Sequence, residues 1–305
     1  MTKAACTDEE FIRLYKEFGP LETSRQLGVA ASSVFTRRSR LEKNLDLVIG
    51  APESIDTQTI YPARVPLELK NGVCLVGSDG HFAPDLISTG HRAFVLFSKD
   101  ADAIVFNGDG FNGSKNGRHP PIGWNKSPGV KAELEVTQER LGEIKTKIKR
   151  WNIGNHDWRF DNKLSATLPE YEGVAGFALK DHFPDWQIVL STWINDAVVV
   201  KHRFKGGIHA THNNTIWAGK TMVTGHLHSL KVTPFDDYNG TRWGVDTGTL
   251  ADPYGPQFDY GEDNPVNHRS GFIVLTFVDG VLLWPEIVRV VDEKHIDFRG
   301  KLIKV

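Results

Sequence analysis

Five short apolar runs in this chain each end on an aspartate, asparagine or histidine, and four of the five ends carry a glycine. Val73 to Gly77 leads into Ser78-Asp79-Gly80-His81, and Ala103 to Phe106 leads into Asn107-Gly108-Asp109. Trp151 to Ile153 precedes Gly154-Asn155-His156-Asp157, Ala197 to Lys201 ends on His202, and Thr221 to Thr224 runs into Gly225-His226-Leu227-His228. Short apolar runs alternating with helical and loop stretches predict an α/β sandwich rather than an all-β fold. In such sheets ligands gather outside the carboxyl ends of the strands, so the five ends should converge on one spot.

The spacing suits that convergence. Asp79 and His81 are two apart, and in extended chain both side chains point the same way; the same holds for His226 and His228. The glycines let the backbone turn and approach closely at each ligand. Carboxylate, amide and imidazole donors suit manganese, iron, zinc or magnesium. The two cysteines, Cys6 and Cys74, lie far apart and offer neither a thiolate zinc site nor a disulfide framework, which fits a reducing interior.

The order D-x-H, G-D, G-N-H-D, H, G-H-x-H resembles the calcineurin-like metallophosphoesterase superfamily over roughly Val65 to Val290. Asp246-Thr247-Gly248 and the carboxyl-terminal hairpin look like phage-encoded and related bacterial members. The resemblance implies a two-sheet β-sandwich flanked by helices and a centre for two divalent ions, manganese first among them. It implies that Asp79, His81 and His228 hold one ion, that Asn155, His202 and His226 hold the other, and that Asp109 bridges both. His156 would face the substrate phosphate, with Asp157 orienting it and keeping it charged. Hydroxide activated between the ions would then hydrolyse a phosphodiester or phosphomonoester. The chain departs from the pattern in two places. Asn112 stands where many relatives carry a second aspartate, which is usually not a ligand. His202 is followed by Arg203 rather than glycine, which leaves His209 and His212 as rivals for the fourth element. The long separation from Asp109 to Asn155 leaves room for an inserted loop near Gly113 to Gly129.

Ahead of this region, residues 1–45 read as three helices. Thr7 and Glu10 form a capping box, and Phe11, Leu14 and Phe18 make one apolar stripe. Gly19-Pro20 stops the first helix, a short second ends near Leu27-Gly28, and a third runs from Ser32 to Lys43 with Ser32 or Ser33 as its N-cap. Ser24, Gly28 and Val34 fall at helix-turn-helix offsets. On that reading Ser32, Ser33, Thr36 and Arg37 face bases, while Arg38, Arg40 and Lys43 touch phosphate. The plainer alternative is a packing or dimerisation module. Residues 46–64, punctuated by Pro52 and Pro62, read as a linker to a second domain at 65–305.

Within that domain, Val65 to Leu69, Asn71-Gly72 and Val73 to Gly77 read as a hairpin, as do Phe272 to Val278 and Val281 to Trp284 about Asp279-Gly280. Ala132 to Arg150 reads as one helix. Asp246 could cap a turn or support a ligand, Arg159 could grip phosphate or sit in a surface ion pair, and Trp151, Trp158 and Phe160 read as core. His119, His182, His268 and His295 are assigned nothing.

A formal net charge of -2 gives no global pull toward nucleic acid, so any such affinity must be local. Met1 is followed by polar and charged residues, and no apolar run approaches the roughly 20 residues of a membrane helix. The expectation is a soluble cytoplasmic protein, in host cytoplasm if phage-encoded, with a phosphate-ester partner and no membrane. The function expected is a phosphoesterase acting on nucleic acid. The alternatives are an enzyme of nucleotides or other small phosphate esters, and a DNA-binding regulator on a degenerate phosphatase scaffold.

Overall fold

The computed structural model describes residues 6–50, 60–117, 127–261, 264 and 266–305. The middle of the expected linker and of the expected insertion after Gly113 lie outside the described residues. The chain divides into two compact units, Met1–Ile60 and Tyr61–Val305. The ends of the expected linker belong to these units. Ile49 is buried in the core of the first, and Tyr61 is buried in the second with its hydroxyl donating to Asp161 Oδ2 at 2.7 Å.

In the first unit, α1 (Asp8–Leu27) begins at Thr7, whose hydroxyl accepts from the Glu10 amide at 3.2 Å. Gly19, at φ 75° and ψ 175°, breaks the helix before Pro20, and Gly28 closes it in the left-handed conformation. α2 (Ala31–Leu45) follows. Its cap is Ala30, without a side-chain bond, rather than Ser32 or Ser33, which lie inside the first turn and point to solvent. Phe11, Tyr15, Val34, Leu41 and Ile49 form the core. Phe18 does not join it: the break at Gly19 leaves this ring 41% exposed. No described helix is long and apolar enough to cross a membrane.

The second unit is a mixed α/β sandwich. Its elements are β1 (Val65–Leu67), β2 (Gly72–Gly77), α3 (Thr89–Ser98), β3 (Ala103–Phe106), α4 (Val130–Gly142), β4 (Ile148–Asn152), α5 (Trp158–Thr167), β5 (Gln187–Val189), β6 (Thr192–Ile194), β7 (Val198–Val200), α6 (Ala210–Ala218), β8 (Thr221–Thr224), β9 (Lys231–Asp237), β10 (Gly240–Asp246), β11 (Gly271–Val278), β12 (Val281–Leu282), β13 (Glu286–Val290), β14 (His295–Phe298) and β15 (Lys301–Lys304). One sheet runs β1-β6-β7-β8-β10-β9; the other runs β15-β14-β13-β11-β2-β3-β4-β5, with β12 on β11. β2, β3, β4 and β5 are parallel, as are β7, β8 and β10.

Strand alternation divides the apolar side chains between two cores. Cys74, Val76, Ala103 and Val105 join Val198, Val200, Val223 and Val245 in the core that takes residues from both sheets. Leu75, Ile104 and Phe106 face the other way, with Phe94 of α3, Leu141 of α4 and Phe160 of α5. A strand buried on both faces has no polar face to show, which is why these runs read as continuously apolar.

Three local expectations fail. Val65 to Gly77 is not a hairpin: β1 pairs in parallel with β6, while β2 pairs with β3 and β11 in the other sheet. Asn71-Gly72 serves the crossing between sheets, with Asn71 Oδ1 accepting from the Asp279 amide at 2.8 Å and Gly72 at φ 144°. The helix expected over 132–150 ends at Gly142, and Ile148 to Arg150 instead begin β4, paired with Ala103 to Val105. β12 stops at Leu282, short of Trp284. The Asp279-Gly280 turn is as expected, with both residues at positive φ and Val278 opposite Val281.

Candidate metal centre

The ends of β2, β3 and β4 from one sheet meet the ends of β7 and β8 from the other. The loop after β2 is laced to the loop after β3: the amides of Asp79, His81 and Phe82 donate to the carbonyls of Gly108, Asp109 and Gly110 at 2.8, 2.9 and 3.0 Å. Five of the seven expected ligands, Asp79, His81, Asp109, His226 and His228, sit at φ between 38° and 72°. Side chains other than glycine rarely adopt this region, and such strain is held only where the surroundings over-determine it. The pairs Asp79/His81 and His226/His228 therefore converge through tight left-handed turns, not through the alternation of extended chain.

Three groups of donors result: Asp79, His81 and His228; Asp109, His202 and His226; and His81, Asp109 and His156. The ligand atoms in each lie within 4.8 Å of one another. His202 Nε2 is 3.2 Å from Asp109 Oδ2, and His228 Nε2 is 2.9 Å from Asp79 Oδ1. His209 and His212 enter none of the groups; His209 caps α6 and His212 packs its ring on Phe235. Close packing fixes the parts. A Cβ on Gly154 would collide with Asp109 Oδ1, and one on Gly108, at φ 91°, with the His202 ring.

Carbonyl and amide oxygens set the tautomers. His202 Nδ1 lies 2.7 Å from the Asn107 carbonyl, which only accepts, so Nδ1 carries a proton and Nε2 is the nitrogen turned toward Asp109. His156 Nδ1 is 2.9 Å from both the carbonyl and Oδ1 of Asn112, and His81 Nδ1 is 3.0 Å from the same Oδ1. The Asn112 amide nitrogen donates to Ser114 Oγ at 2.8 Å, which turns its oxygen toward the two rings. Asn112, which the resemblance gives no part in the centre, aims two histidines. Only the change from aspartate to asparagine three residues after Asp109 could have drawn notice.

His81 Nε2 and Asn155 Oδ1 are buried without a hydrogen-bond partner, and His202 Nε2 meets only the Asp109 carboxylate, at 3.2 Å and outside hydrogen-bond geometry. Orphaned buried polar atoms are costly, and these three belong to three different expected ligands beside two carboxylates at most 1% exposed. The donor set therefore fits divalent cations of the oxygen- and imidazole-binding kind.

The electrostatics agree. Burial opposes charge on Asp79, yet the surrounding histidines, His228 foremost, hold its pKa down at about 2. Burial likewise opposes charge on Asp109, and His202 and His156 hold its pKa well below the ordinary value. Burial would lower the His202 pKa, but Asp109 and Asp79 outweigh it and push it up to about 10, so a cation at Nε2 would have to take the place of a proton there. Burial and the neighbouring His156 bring His81 down to about 3, so it is neutral and able to ligate.

Asp157 does not touch His156. Its carboxylate accepts from the amides of Asp109, Gly110, Phe111 and Gly154 and from Trp151 Nε1, at 2.7–3.1 Å. Burial and the Asp109 charge push its pKa up to about 7 against those five donors. It ties the Asp109 loop to the Gly154 turn and cannot keep the imidazole charged, as the sequence suggested. His156 is held instead by Asn112 and by Arg159, whose guanidinium reaches Nε2 at 3.1 Å. Burial first, then the Arg159 charge, lower the His156 pKa against Asp109.

Asp246 accepts from the amides of Ser229, Leu230 and Gly248, and so caps the turn behind His228. His268, assigned nothing from sequence, stands with Nδ1 3.4 Å from His228 Nδ1. Nothing around it in sequence marks it, because a loop remote from β8 carries it.

On α2, Ser32, Ser33, Thr36, Arg37 and Arg40 share one shallow surface. Arg37 is already engaged, donating to Asp8 Oδ1 at 2.6 Å and to the Cys6 carbonyl at 2.8 Å. Arg38 lies off this surface, paired with Glu42 at 2.9 Å.

No protein-family model matches the chain, and no curated protein does. Among solved structures it is similar to Vps29 of Entamoeba histolytica, described as complexed with zinc, at 13% identity and a TM-score of 0.41 over 76% of this chain and 98% of that one. It is similar to YfcE, a phosphoesterase from E. coli, at 17% identity and a TM-score of 0.35 over 70% and 97%. It is similar to Vps29 of Chaetomium thermophilum at 10% identity and a TM-score of 0.40 over 77% and 97%. At these scores no reading of the site rests on the likeness.

Proposed function

We propose that the Tyr61–Val305 unit is a metal-dependent phosphoesterase of the calcineurin-like type, hydrolysing phosphodiester bonds of nucleic acid. The observation that carries this is the set of three orphaned ligand atoms around two buried carboxylates. Asp79, His81 and His228 would hold one ion, Asn155, His202 and His226 a second, and Asp109 would serve both. Divalent ions so held, manganese first among the candidates, supply a nucleophile at neutral pH and neutralise charge on the phosphoryl oxygens.

The chain's own groups do the rest. A phosphate ester set between Arg159 and His156 adds negative charge that favours a proton on His156 Nε2. Hydrolysis adds water across the P–O bond, the oxygen to phosphorus and a proton to the leaving oxygen. His156 Nε2 delivers that proton, a service worth about 10²–10⁴ in rate. The face of Ser32, Ser33, Thr36 and Arg40 would hold the first unit to DNA.

The test is a manganese-dependent panel of bis-p-nitrophenyl phosphate, p-nitrophenyl phosphate, cyclic nucleotides, and single- and double-stranded DNA. Hydrolysis of the diester and of DNA, abolished by chelation, is expected. No hydrolysis of any member with manganese, iron, zinc or magnesium would refute the reading. Hydrolysis of p-nitrophenyl phosphate or cyclic nucleotides alone would make it an enzyme of small esters.

A further inference from the structure

A groove of about 720 Å³ opens beside the candidate metal centre. Asn155 lines it, Arg203, next in chain to His202, closes one side, and α5 supplies Arg159, Asn162 and Lys163. Among the described residues no carboxylate lines it. The larger groove beside β13 and β14 differs in this respect, since it carries Asp252, Asp292 and Glu293 among its cations.

The charges are placed at a cost. Arg159 and Lys163 are four apart on one face of α5, where like charges repel. The side chains of Lys163 and Arg203 are exposed and make no ion pair among the described residues. An anion lying along the groove removes the repulsion and gives Lys163 and Arg203 a counter-charge. The volume falls within the roughly 300–1,000 Å³ of ordinary ligand sites, ample for a nucleotide-sized group beyond the one being cleaved.

We propose that this groove binds a second phosphate of the substrate, so that the enzyme selects oligonucleotides over mononucleotides and simple esters. The inference rests on the phosphoesterase reading above. Its chemistry is that of proteins that track a single-stranded backbone with a basic groove.

The test uses the full chain with manganese and compares TpT, which has one phosphate, with pTpT and TpTp, which have two. One of the doubly phosphorylated substrates should be favoured in kcat/KM by about tenfold, a partly exposed charge-assisted contact. Lys163→Glu and Arg203→Glu should each bring that preference close to one. With excess chelator, fluorescein-labelled hexathymidylate should bind either variant about fivefold or more weaker by anisotropy, since charge reversal removes a phosphate contact. Each variant should melt at the wild-type temperature. Wild-type enzyme that cleaves all three substrates without preference overturns the proposal, as does a preference that survives both substitutions. Failure to cleave any of them would overturn the nucleic-acid reading instead.

Discussion

The side-chain oxygen of Asn112 lies 2.9 Å from Nδ1 of His156. The same oxygen lies 3.0 Å from Nδ1 of His81, so one amide fixes a ring expected to bind metal and a ring expected to face substrate. Removing the supporting partner of a ligand typically costs 10–100-fold in metal affinity or activity. Asn112→Ala should therefore lower manganese affinity and kcat/KM by about that factor. Asn112→Asp, which keeps the acceptor, should come within a few-fold of wild type. Metal titration and steady-state kinetics on both variants check this, and equal losses in the two would argue against an aiming role.

Two ions per chain are expected on metal analysis of active protein. Binding to the folded state alone raises stability by RT ln(1 + [L]/Kd), about 2.7 kcal/mol at a hundredfold excess over Kd. Manganese should accordingly raise the melting temperature, and excess chelator should abolish hydrolysis. One ion or none in fully active protein would refute the two-site assignment.

Asn155 and His156 are neighbours that should fail differently. Asn155→Ala removes a neutral oxygen ligand, so occupancy should fall and added manganese should restore part of the activity. His156→Ala leaves the other seven groups in place, so metal content should hold while kcat falls by about 10²–10⁴. The loss should be smaller for p-nitrophenolate leaving groups, which need little protonation. A His156→Ala protein stripped of metal would place His156 among the ligands.

Asp157→Ala should act on stability. It strands five buried N–H donors, four amides from two loops and the Trp151 indole of β4. Losses of this kind cost about 3–5 kcal/mol. Urea denaturation should show the change as a lower midpoint at unchanged slope. A stable Asp157→Ala protein lacking only catalysis would instead return Asp157 to orienting His156.

Removing residues 1–60 deletes the first compact unit whole. Hydrolysis of bis-p-nitrophenyl phosphate should persist, because every expected ligand lies beyond Tyr61. Binding to long DNA should weaken and its salt slope should shrink as Arg and Lys contacts are lost. Loss of small-ester hydrolysis from a folded truncation would contradict two separable units.

Much of the site could be read in the chain because its ligands follow apolar strands directly. The runs at 103–106 and 221–224 are strands over those same residues, and each expected ligand stands at or just beyond a strand end. Apolar content in strands buried on both faces survives as a plain sequence signal. The pairing of strands did not. Val65 to Leu67 and Val73 to Gly77 are near in sequence and belong to different sheets: β1 pairs with β6, more than a hundred residues away, while β2 lies between β3 and the distant β11. The run at 148–150 likewise took strand geometry from its pairing with β3, against its helical look.

The sequence by itself determined which residue types meet at the centre and in what order, since ligand chemistry is a property of side chains and of the strands that carry them. Tertiary structure decided how they are aimed. Left-handed turns at five of them, the shared amide of Asn112, the loop clasp of Asp157 and the approach of His268 all depend on contacts across loops distant in sequence. Hydrogen bonds select a tautomer or a rotamer only once both partners are in place, and that placement is set by packing of the two sheets rather than by any local run of residues.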